Sequence, residues 1–283
     1  MFKVVYKKKI NPQSTFMTVE APSIAKKALP GQFIILRVDS EGERIPLTIA
    51  DYDREKGTIT IIFQEVGKTT KELGLLEAGD YIHDFVGPLG NASELEGYKH
   101  ACVIGGGLGC AIAYPQAKML HELGTKVDVI AGFRTKDLIM LEDEFAKVAD
   151  KLIICTDDGS NGKKGLVTNE LEALIEAGEK YDVVIAIGPL VMMKFVSLLT
   201  KKYGIKTIVS MNPIMVDGTG MCGGCRVTVG GKVKFACVDG PDFDGHEVDF
   251  DEAMRRGAMY KDFEQNAVKK HTCRLEEAAK NNG

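Results

Sequence analysis

The chain has 283 residues, 45% of them hydrophobic and 27% charged, with a formal net charge of −4 at pH 7. That length predicts two domains, and that apolar content supports packed cores and excludes wholesale disorder. The acidic balance argues against nucleic acid as a partner, and no apolar run approaches the ~20 residues of a membrane span.

The start, Met1-Phe2-Lys3-Val4-Val5-Tyr6, reads as a strand and not as a signal peptide. Residues 1–95 alternate short β-rich runs with turns, the clearest strands being 4–6, 16–19, 33–38 and 58–63. Strands this short and frequent, without a long helix between them, predict an antiparallel barrel or sandwich. Two pieces carry more than strand and turn. In Arg44-Ile45-Pro46-Leu47-Thr48-Ile49, extended backbone puts Arg44, Pro46 and Thr48 on one face. There Arg44 suits a diphosphate and Thr48 a ring heteroatom. Gly67-Lys68-Thr69-Thr70 and Gly87-Pro88-Leu89-Gly90-Asn91 offer free backbone N–H groups to an anion. Ordinary turns beside an edge strand account for the same residues.

From Tyr98 the period changes. A buried strand at 100–104 runs into Gly105-Gly106-Gly107-Leu108-Gly109. A helix follows to Leu123 with Ala113, Ala117 and Leu120 on one face, Pro115 in its first turn and Gly124 at its end. Strands are predicted at 127–131, 152–155, 183–187 and 207–210. Helices are predicted at 167–175, with Val167, Leu171, Leu174 and Ile175 in register, and at 191–203, with Val191, Phe195, Leu198 and Leu199 in register. This is a βαβ series, hence a mostly parallel sheet whose ligands bind at the carboxyl ends of its strands. Three glycine-bearing loops fall at that edge: the one at 105–109, one holding Asp157, Asp158 and Gly159, and one at Gly188-Pro189. The first suits a pyrophosphate at a helix N-terminus, although Cys110 breaks the usual dinucleotide fingerprint. A tight strand-to-helix turn explains it equally. Arg134 either meets a nucleotide phosphate or caps the strand edge.

Three of the seven cysteines lie in one glycine-dense stretch, Cys222 and Cys225 two residues apart and Cys237 beyond; Cys102, Cys110, Cys155 and Cys273 are scattered. The pattern suits a reducing cytoplasm and a metal or cluster site. Asp217, Cys222 and Cys225 match plant-type [2Fe–2S] spacing with a carboxylate in place of the first thiolate. A zinc site of Cys222, Cys225, Cys237 and His246 fits as well, and a redox dithiol at Cys222 and Cys225 is a third reading. After Cys237 the chain is acidic. Residues 254–273 are predicted helical, as a docking surface for a partner or as a solvated terminal helix.

Together these regions resemble the ferredoxin–NADP reductase superfamily of flavoproteins, in the branch holding the electron-transfer subunit of dihydroorotate dehydrogenase. Within it the chain is similar to the small (alpha) subunits of NADH-dependent reduced ferredoxin:NADP+ oxidoreductases, also described as sulfide dehydrogenase subunits. Asp217, at the position of a cluster cysteine in the dihydroorotate branch, and the long tail after Cys237 favour that similarity. The resemblance implies an FAD-binding barrel at 1–96, an NAD(H)-binding α/β domain at 97–211, a [2Fe–2S] segment at 212–245 and a helical tail at 246–283. It implies that Arg44, Pro46, Leu47, Thr48, Gly67, Lys68, Thr69, Thr70, Gly87, Pro88 and Leu89 serve FAD. Gly105, Gly106, Gly107, Gly109, Arg134, Asp157, Asp158, Gly159, Gly188 and Pro189 then serve NAD(H). Asp217, Cys222, Cys225 and Cys237 then hold the cluster. Hydride passes between NADH and FAD, and single electrons leave through the cluster to a larger flavin and iron–sulfur subunit that meets NADP(H) and ferredoxin, with bifurcation at the flavin. No catalytic base is required. The alternatives are an electron-transfer subunit of NAD-dependent dihydroorotate dehydrogenase and a zinc-stabilised nucleotide-binding module.

Overall fold

The computed structural model describes residues 1–267. Its first part is built from β1 (Phe2–Asn11), β2 (Ser14–Glu20), α1 (Pro22–Ala25), β3 (Phe33–Arg37), β4 (Ile45–Asp53), β5 (Thr58–Gln64), α2 (Lys68–Leu75), β6 (Tyr81–Ile82) and β7 (Asp84–Leu89). The strands form one antiparallel sheet in the order β6-β1-β2-β5-β4-β3-β7. Its two edge strands are joined through His83 alone, so the sheet curls into a nearly closed barrel.

Period-two alternation sorts the side chains of this barrel. On β3, Ile34 and Leu36 enter the barrel core, whereas Phe33 and Ile35 join a second core outside it. On β4, Ile45, Leu47 and Ile49 face inward, which turns Arg44, Pro46 and Thr48 outward. β4 is an interior strand and not the edge strand that the plainer reading required. It pairs with β3 through Phe33↔Thr48 and Ile35↔Pro46, but its ladder with β5 starts only at Ile49↔Ile61. Residues 45–48 therefore lack a neighbour on the β5 side, which is where a sheet tolerates a proline.

The second part comprises β8 (His100–Gly106), α3 (Gly109–Glu122), β9 (Lys126–Phe133), α4 (Glu142–Ala146), β10 (Lys151–Thr156), α5 (Val167–Glu176), β11 (Val183–Ile187), α6 (Leu190–Tyr203) and β12 (Thr207–Ser210). The five strands are parallel, in the order β10-β9-β8-β11-β12. The order reverses between β8 and β11, which makes their carboxyl ends the switch-point crevice.

Two helix readings need correction. Pro115 is the seventh residue of α3 and not part of its first turn, because the helix begins at Gly109, two residues after the positive φ of Gly107. Proline donates no N–H, so it costs α3 one internal bond. On α6, Val191, Phe195 and Leu198 face solvent, while Met193, Val196, Ser197, Leu199 and Thr200 face the sheet. An apolar stripe is not by itself a buried stripe, since a large share of protein surface is apolar.

The last part holds the hairpin β13 (Arg226–Val229) and β14 (Lys232–Phe235), the single turn α7 (Ala236–Asp239), β15 (Asp242–Asp244) and α8 (Phe250–Gly257). β15, which the sequence does not announce, pairs antiparallel with β12 and becomes the sixth strand of the parallel sheet. The acidic stretch is largely capping. Asp239 accepts the Phe235 N–H (2.7 Å), Asp244 that of His246 (2.9 Å), and Asp249 caps α8 through the Glu252 N–H (2.8 Å). The helix expected over 254–273 is divided. α8 ends at Gly257, helical backbone resumes at 261–267, and residues 268–283, with Cys273, lie outside the described residues.

A shared wall between the flavin motif and the cysteine loop

The loop that carries the cysteines lies against the outward side of β3 and β7 and is tied to Arg44, just before β4. The Arg44 guanidinium donates from Nε to the Val216 carbonyl (3.0 Å) and from Nη2 to the Asp217 carbonyl (3.3 Å). Gly218 lies so close to the barrel that a Cβ there would meet Ile35 Cδ1 at 2.6 Å and Leu89 Cδ1 at 3.1 Å. At the far end of the loop, the Asn91 side chain donates to the Val238 carbonyl (3.1 Å) and its backbone N–H to that of Gly240 (2.7 Å). Phe33, Ile35, Cys225 and Cys237 belong to one apolar core.

The other residues expected to serve FAD lie at the start of α2 and on β7. The buried Thr69 donates to Glu43 (3.3 Å), which holds the start of α2 against the residues leading into β4. Thr70 Oγ1 accepts the Gly67 N–H (3.0 Å) and donates to the Gly67 carbonyl (3.1 Å), closing that turn. Lys68 pairs with Glu72 at 3.7 Å. Gly87 admits no side chain, since a Cβ would meet Ile34 Cγ2 at 2.7 Å; Pro88 follows it, and Leu89 pairs with Phe33.

Two of the three loops expected to bind a nucleotide meet, the ones at 105–109 and 188–189. Cβ atoms on Gly105, Gly106, Gly109 and Gly188 would strike Cys110, Met192 and Pro189, the Ile187 carbonyl, and Met192 with the Gly106 backbone, respectively. These four glycines bring the β8 and β11 ends into contact across the switch point, next to Pro189. Gly107 differs: its φ is +55° and open space lies beside it, so the chain there is exposed to a ligand. Farther along the edge, the Asp157 N–H donates to the Phe133 carbonyl (3.0 Å) and the Asp158 N–H to that of Arg134 (3.3 Å). Asp158 Oδ1 also accepts both the N–H and the hydroxyl of Ser160. Arg134, Asp157, Asp158 and Gly159 thus form one corner beyond β9 and β10.

The cysteine loop has the chemistry of a cluster site. Cys225 and Cys237 are buried with their Sγ atoms 3.2 Å apart, and burial, then Cys225, pushes the Cys237 thiol up to about 12. Two thiolates that close need cationic metal beside them. Cys222 is exposed, and its thiol is lowered by backbone hydrogen bonding, first from Gly224 and then from Asp217. Asp217 Oδ2 accepts from the Thr219 hydroxyl (2.6 Å), the Thr219 N–H (2.9 Å) and the Met221 N–H (3.2 Å), which hold its carboxyl below the usual range. Among the described residues, the three-donor set whose ligand atoms all lie within 4.8 Å of one another is His100, Asp128 and Glu179, not a set from this loop. His246 is turned away from the thiols, with Nε2 at 3.0 Å from Thr200 Oγ1, so the zinc set is not assembled.

The His100 set is structural. Its Nε2 lies 3.2 Å from Asp128 and its Nδ1 3.0 Å from the Lys180 carbonyl, so its two nitrogens serve different partners. Glu179 is held by Lys126 and Lys151.

Sequence reasoning gave no role to Ser93, Gln116, Thr219 or Asp242, and it read Asn91 as part of an anion-binding turn and not as a tie to the cysteine loop. Ser93 Oγ donates to Asp242 Oδ2 at 2.5 Å, and Gln116 Nε2 approaches the same oxygen at 3.4 Å. These contacts join barrel, α3 and β15. The available signal was Gln116, a polar residue on the alanine-rich buried face of α3.

Comparisons with known proteins agree with this geometry. Residues 212–249 match the family model for the iron-sulfur cluster binding domain of dihydroorotate dehydrogenase B. A Thermotoga maritima protein named dihydroorotate dehydrogenase B (NAD(+)), electron transfer subunit homolog is 49% identical over 263 residues, covering 93% of each chain. A Bacillus caldolyticus dihydroorotate dehydrogenase B (NAD(+)) electron transfer subunit is 34% identical over 242 residues, 82% of this chain and 91% of the relative. A solved structure of NADH-dependent reduced ferredoxin-NADP oxidoreductase, described in terms of flavin-based electron bifurcation, superposes with a TM-score of 0.90. It is 47% identical and covers 95% of this chain and 97% of the other. The resemblance drawn from the motifs therefore holds, and the chain belongs to the family of dihydroorotate dehydrogenase B electron-transfer subunits and their homologues, as an oxidoreductase subunit.

Proposed function

We propose that this chain exchanges hydride with NAD(H) and passes single electrons to a larger subunit, in electron-bifurcating NADH-dependent ferredoxin:NADP+ oxidoreduction. Its cofactors are FAD, a [2Fe–2S] cluster and NAD(H). When bound, FAD supplies hydride acceptance and the cluster one-electron transfer. The observation that carries the reading is the shared wall, where the Arg44 side chain, one strand position from Ile45, bonds the backbone of Asp217.

The chain's own residues bind and orient. Pro46, Leu47 and Thr48 lie on the stretch of β4 with no partner on the β5 side, where a flat ring has access to the strand. Thr48 supplies a hydroxyl there, and Arg44 retains N–H groups beyond its two carbonyl bonds for a diphosphate. Gly67, Lys68, Thr69 and Thr70, at the start of α2, and Gly87, Pro88 and Leu89, on β7, complete this site. Gly105, Gly106, Gly107 and Gly109 receive the dinucleotide pyrophosphate at the α3 N-terminus, with Gly188 and Pro189 opposite. Arg134, Asp157, Asp158 and Gly159 receive its adenosine end. Asp217, Cys222, Cys225 and Cys237 ligate the cluster. The six described cysteines are free, which suits a reducing cytoplasm.

The purified complex tests this reading. A flavin band near ~450 nm together with iron and acid-labile sulfide is expected, and a colourless zinc protein would sink it. A large partner with dinucleotide-binding motifs supports bifurcation, with ferredoxin and NADP(H) meeting that partner. A copurifying TIM-barrel partner would instead assign the chain to dihydroorotate oxidation, the reading that the names of the relatives favour.

A further inference from the structure

The bonds that Arg44 makes are not those of a simple phosphate-binding arginine. Its fork spends two donors on consecutive backbone carbonyls, Val216 (3.0 Å) and Asp217 (3.3 Å), in a loop more than 170 residues away in sequence. Asn91 holds the other end of the loop, its side-chain amide donating to the Val238 carbonyl (3.1 Å) and its backbone N–H to that of Gly240 (2.7 Å). Between these points Gly218, at φ +82°, sits on Ile35 and Leu89 with no room for a Cβ. The three barrel attachments, before β4, on β3 with β7, and after β7, flank the segments that carry the flavin motifs.

We propose that Arg44 and Asn91 are positioning residues that fix the cluster segment to the flavin barrel, Arg44 by clamping the backbone of the ligand Asp217 and Asn91 by clamping the residues after the ligand Cys237. This rests on the flavin and cluster reading given above. The chemistry favours arginine over lysine at position 44. A planar fork meets two adjacent carbonyls at once, whereas an ammonium is a point donor that satisfies one geometry at a time. The guanidinium, 3.3 Å from the Asp217 carbonyl, also brings positive charge to this residue, which would favour the more negative, reduced state of a cluster bound there. Arg44 therefore has two separable effects, one from its shape and one from its charge.

The test uses the complete complex with Arg44→Lys, Arg44→Gln and Asn91→Ala. Amide hydrogen exchange over 216–221 and 238–240 reads the clamp, the reduction potential of the cluster reads the charge, and the FAD-to-chain ratio reads the flavin site. In Arg44→Lys, exchange over 216–221 is expected to rise about tenfold, the loss of roughly one charge-assisted hydrogen bond. Its cluster potential should remain that of the wild type, because lysine keeps the positive charge. Arg44→Gln should show the same faster exchange and a lower potential. Asn91→Ala should loosen 238–240 and leave 216–221 unchanged. Wild-type exchange in Arg44→Lys overturns the proposal. So does loss of FAD from that variant without any change in loop exchange, which would leave Arg44 a diphosphate ligand only. A wild-type complex lacking the cluster would sink the functional reading itself, an outcome distinct from both.

Discussion

Glycines of the nucleotide edge look alike in the sequence but answer to different constraints. Gly107 needs its positive φ and has empty space beside it, whereas Gly109 touches the Ile187 carbonyl and, at 2.7 Å from a built Cβ, Gly188 Cα. Gly107→Ala should cost about 1–2 kcal/mol, the left-handed penalty. Gly109→Ala should cost at least about 1–3 kcal/mol through overpacking and should also part the β8 and β11 ends. Thermal melts with and without NADH check both, and equal losses, with NADH stabilising both variants alike, would contradict the assignment. Asp217 is the other informative residue. Its spacing to Cys222 was legible, but its three local hydrogen bonds were not, because capping geometry depends on the φ values of Gly218 and Gly220. Asp217→Cys should keep the cluster and change its potential, since a thiolate is a softer donor. An unchanged spectrum and potential on redox titration would remove Asp217 from the ligand set.

Elements were legible wherever their pattern was local. Every strand predicted in the α/β region is present, because a short run of β-branched residues between glycines has few other uses. What stayed hidden was non-local. β15 is three residues, Asp242 to Asp244, whose strand state exists only because β12 offers an edge to pair with. The buried face of α6 was misread because Val191, Phe195 and Leu198 are as apolar as the residues that pack. Pairing and packing partners far away in sequence decide these cases, and period alone does not contain them. The helix allows a direct check. Met193→Ala, at a fully buried position, should cost about 2–5 kcal/mol. Phe195→Ser, on the exposed face, should stay within about 0.5 kcal/mol. Denaturant titration separates them, and a large loss for Phe195→Ser would show that this face is covered in the assembly used.

Across the whole molecule, Asp242 is the residue at which barrel, α3 and β15 meet. Burial raises its carboxyl pKa, against the hydrogen bonds of Ser93 and Ser210, and its Oδ1 is sealed from solvent without a partner. A carboxyl with a raised folded pKa prefers its protonated form in the native state. Its contribution to stability is therefore complete below the ordinary carboxylate range, about pH 4, and is lost as pH rises through the raised value. Asp242→Asn should flatten that decline. Melting temperatures measured from pH 4 to 8 decide it, and parallel curves for the two proteins would show that Asp242 is not the titrating group.

The hydrogen bond from the Met211 N–H to the Pro241 carbonyl (2.9 Å) closes a neck. The four proposed cluster ligands lie on the excursion between those two residues, and the sheet resumes on the other side of the neck as though the excursion were spliced into it. Seen this way, the cluster unit is a cassette set into a complete two-domain reductase body, plugged into the barrel and threaded through the edge of the nucleotide sheet. Such a cassette is tied to the body at few points, so its loss or replacement would leave the strand order of both sheets short of β15 at most.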